Sequence, residues 1–127
     1  MKKLKYTIHK HHARNLHWDL RLEWKGVAKS WAVPKEPSFK EGVKRLAVQV
    51  EDHSAGYMDF KGEIPEGQYG AGKVEIWDKG YWEAESFSEK KIVGILDGEK
   101  LKGRFTLLSF KGKNWLFFKS KEKEENK

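Results

Sequence analysis

The stretch His17-Trp18-Asp19-Leu20-Arg21-Leu22-Glu23-Trp24 decides the fold. In an extended strand successive side chains point to opposite faces, so Trp18, Leu20, Leu22 and Trp24 form one row and His17, Asp19, Arg21 and Glu23 the other. The first row belongs in a core. The second sets an imidazole, two carboxylates and a guanidinium side by side. Working outward, similar alternation predicts strands over residues 5–11, 17–24, 27–34, 45–52, 73–78, 81–87, 91–96, 104–110 and 114–119. No segment holds a 3.6-residue apolar period long enough for a substantial helix. Trp24-Lys25-Gly26, Asp78-Lys79-Gly80 and Lys111-Gly112-Lys113 read as tight hairpin connections. The expected fold is all-β: a compact antiparallel β-barrel of about eight strands, closed to remove its edges, with at most short helical turns. One such turn is expected after Pro37, where Ser38 can cap Phe39-Lys40-Glu41-Gly42.

A chain of 127 residues fits one domain, expected over residues 1–120. Residues 121–127, Lys-Glu-Lys-Glu-Glu-Asn-Lys, carry no apolar side chain and read as a charged, disordered tail. Residues 62–72 hold four glycines and a proline and read as an irregular loop. The absence of cysteine excludes a disulfide framework, a thiolate zinc site and a cysteine nucleophile. With neither a secretory h-region nor an apolar run of membrane-spanning length, the expected setting is cytoplasmic, with no membrane association. The formal charge of +7 points to a polyanionic partner.

The polar rows carry the chemistry. Residues 45–53 place Leu46, Val48 and Val50 inward, with Arg45, Gln49, Glu51 and His53 on the opposite face. In the first strand Thr7, His9 and His11 share a face. If the three strands are neighbours, His, Asp, Glu and Arg converge on one open surface of the barrel. Strand spacing separates His17 and Asp19 by about 6.5–7 Å, which leaves room for a metal ion. Three readings of this surface stand side by side: a metal or catalytic site, a solvated basic face, and packed structural histidines. Imidazoles are uncommon on a merely solvated face, and four of the five histidines fall here, with His12 the odd one. Two neutral imidazoles and a carboxylate suit Mn²⁺, Zn²⁺ or a similar ion, and an arginine can fork onto phosphate oxygens. His53 can act as a general acid or hydrogen-bond a phosphate. Walker, His-Glu-x-x-His, Gly-x-Ser-x-Gly and paired His-x-Thr/Ser motifs are absent. The 62–72 loop reads either as a phosphate cradle or as a structural turn or flap, and most of the tryptophans read as core.

The runs from His11 to Glu23, from Ser30 to Lys35, from Arg45 to His53 and through residues 62–72 resemble the 3′-phosphoesterase domain of bacterial DNA ligase D, over most of residues 5–119. The resemblance implies a β-barrel with an active-site groove. The implied activity is metal-dependent removal of a 3′-phosphate, or of a 3′-terminal ribonucleotide, to leave a 3′-OH on DNA primer-template ends for repair ligation. It implies that His11, His17 and Asp19 hold a divalent ion, Mn²⁺ first with Zn²⁺ or Co²⁺ as alternatives. Arg21, His53 and Tyr57 would engage the phosphate, and Glu51 would orient a neighbour. His9 stands where the bacterial domains carry a glutamine, so it replaces a hydrogen-bonding amide or adds a ligand. The N-terminal arm of the bacterial domains is not seen here, which makes phosphate removal the first expectation and ribonucleotide removal the second. The protein resembles the free-standing versions of the module, with a ligase or polymerase acting in trans. The competing expectation is a non-catalytic nucleic-acid-binding or ligase-recruiting barrel.

Overall fold

Nine strands alternate with short connections in the computed structural model, which describes residues 3–121. They are β1 (Leu4–His12), β2 (Leu16–Trp24), β3 (Val27–Val33), β4 (Arg45–Ser54), β5 (Gly62–Ile64), β6 (Gly72–Phe87), β7 (Lys91–Gly98), β8 (Lys102–Lys111) and β9 (Asn114–Lys119). All strand pairs are antiparallel, in the order β1-β2-β3-β4-β9-β8-β7-β6, and β6 pairs back onto β1 to close an eight-stranded barrel. Closure leaves no long unpaired edge. The charged tail expected over residues 121–127 lies almost wholly outside the described residues. Among the described residues no helix is long and apolar enough to cross a membrane.

The alternation in β2 does what its period dictates. Leu20 and Leu22 are buried with Trp18, Tyr6, Ile8, Trp31, Trp115, Phe105 and Phe117 in one core cluster. Trp24 lies at the margin of that cluster, its ring stacked on Phe87 at 4.1 Å.

Three expectations need correction. Asp78-Lys79-Gly80 is no hairpin: β6 runs unbroken through it for 16 residues. The Asp78 side chain is instead buried, accepting hydrogen bonds from Tyr6 Oη (2.7 Å) and the backbone amides of Glu99, Lys100 and Leu101 (2.8–2.9 Å). Gly80 lets the strand pass close to Asp97, where a Cβ would strike the carbonyl of that residue. Second, no helix follows Pro37. Ser38 Oγ accepts only from the Lys40 amide, and the one helical element described is a 3₁₀ helix, Ala55–Asp59. Third, the faces of β4 are reversed at its start. Ala47 pairs with Trp115 and is fully buried, Gln49 pairs with Trp31, and Leu46 is 40% exposed. A bulge then sets Glu51 and Asp52 together opposite Lys29, so His53 comes to pair with Ala28.

The barrel has a second buried layer. β6 outruns β7, and residues 54–72, comprising the 3₁₀ helix, β5 and the glycine-rich turn, fold back over the outer faces of β1 and β2. Those two strands are therefore buried on both sides.

Candidate active site

Register brings the polar rows together. His9 pairs with Asp19, His11 with His17 and Thr7 with Arg21, while Arg21 pairs in turn with Ser30. Directly paired residues share a face, so these side chains form one patch on the outside of the barrel. The expected open face is instead largely covered: His9, His11, Asp19, Arg21 and Ser30 are all buried. Burial of this order is incompatible with a merely solvated basic face.

His11, His17 and Asp19 present ligand atoms that all lie within 4.8 Å of one another. His11 Nδ1 is 3.4 Å from Asp19 Oδ2, and His17 Nε2 is 3.2 Å from Oδ1. Side chains lean together across the gap that strand spacing had left for an ion. Each imidazole spends its other nitrogen on a backbone carbonyl: His11 Nε2–H donates to Gly70 O at 2.7 Å, and His17 Nδ1–H to Asn15 O at 3.0 Å. A carbonyl only accepts, so in the neutral tautomers both remaining lone pairs face a carboxylate. That arrangement repels unless a cation lies between, either a proton or a metal ion. In the metal-free protein the proton is favoured at His17, whose pKa is raised chiefly by its hydrogen bond to Asp19. Burial pushes the Asp19 carboxyl up, but His11, His17 and Arg21 together outweigh it and hold the group well below the usual carboxylate range. The donor set and its carbonyl supports fit a divalent ion of the Mn²⁺ or Zn²⁺ kind.

Arg21 is the hub. Its Nε–H donates to His9 Nδ1 (3.0 Å), and one terminal nitrogen meets Ser30 Oγ (2.7 Å) and His53 Nδ1 (3.2 Å). The other terminal nitrogen faces Asp19 at 3.5 Å. The fork expected to be open for phosphate is thus largely committed, leaving the nitrogen beside Asp19 with donor capacity to spare. Tyr57, on the 3₁₀ helix, lays its ring over the guanidinium at 4.9 Å and packs against His53 at 4.8 Å. Burial and then the Arg21 charge lower the His53 pKa, and burial raises that of Tyr57. Both are neutral donors near pH 7.

His9 is a structural partner in this geometry. Its Nε2–H donates to Phe60 O at 2.9 Å while Nδ1 accepts from Arg21, so neither nitrogen is left for a metal. Glu51 is exposed; its backbone carbonyl, 3.2 Å from His53 Nδ1, makes the contact with that ring. His12 stands apart, bonded to Glu75. Sequence reading missed Ser30, whose hydroxyl bridges Arg21 and the Ala28 carbonyl, and Gly70 and Phe60, whose carbonyls fix imidazoles. Ser30 was discoverable as the residue opposite Arg21 once the β2–β3 turn was placed; the carbonyls carried no side-chain signal. Through the Gly70 carbonyl the glycine-rich loop braces His11.

Residues 9–109 match the family described as the DNA ligase D 3′-phosphoesterase domain. The chain belongs to this family. It is 48% identical over 130 residues to the multifunctional non-homologous end joining protein LigD of Pseudomonas aeruginosa, covering 95% of this chain and 16% of that protein. The LigD of Mycolicibacterium smegmatis is 46% identical over 131 residues, covering 94% of this chain and 17% of that protein. The LigD of Mycobacterium tuberculosis, 41% identical over 126 residues, is covered to 17% of its length. The chain thus spans about one sixth of the length of these relatives. Membership places the buried His, Asp and Arg patch inside residues 9–109.

Proposed function

We propose that this chain is a metal-dependent phosphoesterase that processes DNA 3′ ends, removing a 3′-phosphate, and a 3′-terminal ribonucleotide where one is present, to leave a 3′-OH for ligation. The observation that carries the reading is the pair of imidazole lone pairs turned onto one buried carboxylate, each fixed by a backbone carbonyl. Family membership and the end-joining relatives support the substrate class.

His11 Nδ1, His17 Nε2 and an Asp19 oxygen would hold the ion, Mn²⁺ first, with Zn²⁺ and Co²⁺ as alternatives. When bound, such an ion neutralises charge on the phosphate and acidifies a coordinated water. Arg21 holds Asp19 and His53 in place through its terminal nitrogens and keeps donor capacity for a phosphate oxygen. His53 Nδ1 lies 3.2 Å from a terminal nitrogen of Arg21 and 3.2 Å from the Glu51 carbonyl; in the tautomer that accepts from Arg21, Nε2 carries the proton and can donate it toward the phosphate or the leaving oxygen. Tyr57 donates its phenolic proton to the same group. Glu51 contributes through the bulge that carries His53 onto this face. Partners are DNA primer-template ends, whose 3′-OH product a ligase or polymerase would use.

The test is a gel assay of a 3′-phosphate primer annealed to template, with Mn²⁺ and with chelator, for the wild type and His17→Ala. Metal-dependent loss of the phosphate, abolished in the variant while DNA binding persists, is the expected result. No turnover with Mn²⁺, Co²⁺, Zn²⁺ or Mg²⁺ would sink the catalytic reading and leave a nucleic-acid-binding or ligase-recruiting barrel.

A further inference from the structure

One aromatic side chain is left entirely in water one residue before the carbonyl that holds His11. Tyr69 is 100% exposed, against 65% for Phe39, the next most exposed large apolar or aromatic residue described. Among the described residues its ring and hydroxyl make no partnered contact, so the fold gains nothing from it. A single exposed aromatic is ordinary on a protein surface; what singles out Tyr69 is its place one residue before the carbonyl that holds His11.

Its position is fixed by the backbone on either side. Tyr69 lies inside a turn closed by Ala71 N–H donating to Gln68 O (3.1 Å), which follows a second turn from Gln68 N–H to Pro65 O (3.3 Å). The next residue, Gly70, has φ +76° and carries the carbonyl that holds His11 Nε2 at 2.7 Å. Gly72, with φ +130°, passes so close to β1 that a Cβ there would strike the His12 carbonyl. The ring therefore stands on a short, tethered turn whose own backbone touches a metal ligand.

We propose that Tyr69 is a stacking platform for the nucleobase at the 3′ end of the processed strand. This rests on the DNA 3′-end reading above and names the residue that would seat the terminal base next to the phosphate held by Arg21, His53 and Tyr57. A terminal base has an unpaired π-face, every base offers one, and stacking on an exposed aromatic is tolerant of sequence. Such recognition suits an activity that must accept any 3′ end. The metal ligands and Arg21 act on the phosphate and cannot distinguish a base from its absence; Tyr69 can.

The test measures binding by fluorescence anisotropy in chelator, where no turnover intervenes, using two 3′-phosphate primer-templates: one complete and one abasic at the terminal nucleotide. Wild type, Tyr69→Phe and Tyr69→Ala are compared, and full exposure of the side chain makes all three equally foldable. The expected result is roughly tenfold weaker binding of complete DNA by Tyr69→Ala, with Tyr69→Phe within about twofold of wild type, as stacking of one base implies. On abasic DNA the three proteins bind alike. Equal affinity of Tyr69→Ala and wild type for complete DNA overturns the proposal, as does an equal loss on both substrates. Absence of DNA binding by the wild type overturns it together with the DNA-end reading. Absence of hydrolysis in the gel assay above, with this base-dependent difference intact, removes the catalytic reading and leaves the platform standing.

Discussion

At the scale of single residues, the site is organised by what each imidazole does with its second nitrogen. His11 and His17 use theirs on carbonyls and turn the other toward Asp19; His9 uses both, on Phe60 O and Arg21. A glutamine at position 9 offers the same acceptor and donor, so His9→Gln is expected to keep turnover within a few-fold. His9→Leu leaves the Arg21 Nε–H buried without an acceptor and is expected to lose on the order of 10- to 100-fold in activity, the range for a lost supporting hydrogen bond. Steady-state rates on the 3′-phosphate substrate decide this, and equal loss in both variants would contradict the assigned role. Burial, followed by the Arg21 charge, lowers the His9 pKa from 6.5 to about 4. Because the folded value lies below the unfolded one, the unfolded chain takes up the proton first as pH falls. Stability from this source is full above about pH 6.5 and is lost as pH drops toward 4, a loss of about 3 kcal/mol over the window. Urea titrations of metal-free protein at pH 7 and 4.5 are expected to show a larger loss for wild type than for His9→Gln; parallel losses would remove His9 as the cause.

At the scale of elements, two irregularities matter, one for the site and one for the barrel. The β4 bulge is why His53 reaches the Arg21 face, since an unbroken strand would set Asp52 opposite Ala28. Sequence reading put His53 on the correct face through an alternation that the structure reverses, because period-2 reasoning sees neither a bulge nor a small residue such as Ala47 taking a core position. The second irregularity is Asp78, whose Asp-Lys-Gly context imitates a hairpin. Turn chemistry is local, and the decisive partners, Tyr6 and the β7–β8 backbone, are distant in sequence. Asp78→Ala strands three amides and a buried hydroxyl, for an expected loss of about 3 kcal/mol or more. Chemical denaturation measures it, while activity well below the transition should persist because none of these partners belongs to the metal patch. A variant as stable as wild type would show that the network contributes nothing net.

At the scale of the whole molecule, barrel closure gives β1 and β2 a rigid base, and the 54–72 segment turns their outer face into a second buried layer. The +7 charge acts over the same scale. If about three phosphates are neutralised, DNA affinity should fall on the order of 50-fold between 50 and 200 mM salt. Anisotropy titrations at the two concentrations check this, and a flat response would mean that charge contributes nothing to binding. By itself the sequence determined the all-β barrel, the core row of β2 and the shared face of His17, Asp19 and Arg21, because period-2 alternation and residue chemistry are local properties that the chain displays directly. Tertiary structure alone decided that the polar row is buried, that Gly70 and Phe60 carbonyls aim the imidazoles, that His9 serves Arg21 and that Tyr69 immediately precedes the carbonyl that holds His11. Each of these depends on backbone from residues 54–72 meeting β1, and a backbone carbonyl looks the same at every position until the fold brings it to its partner.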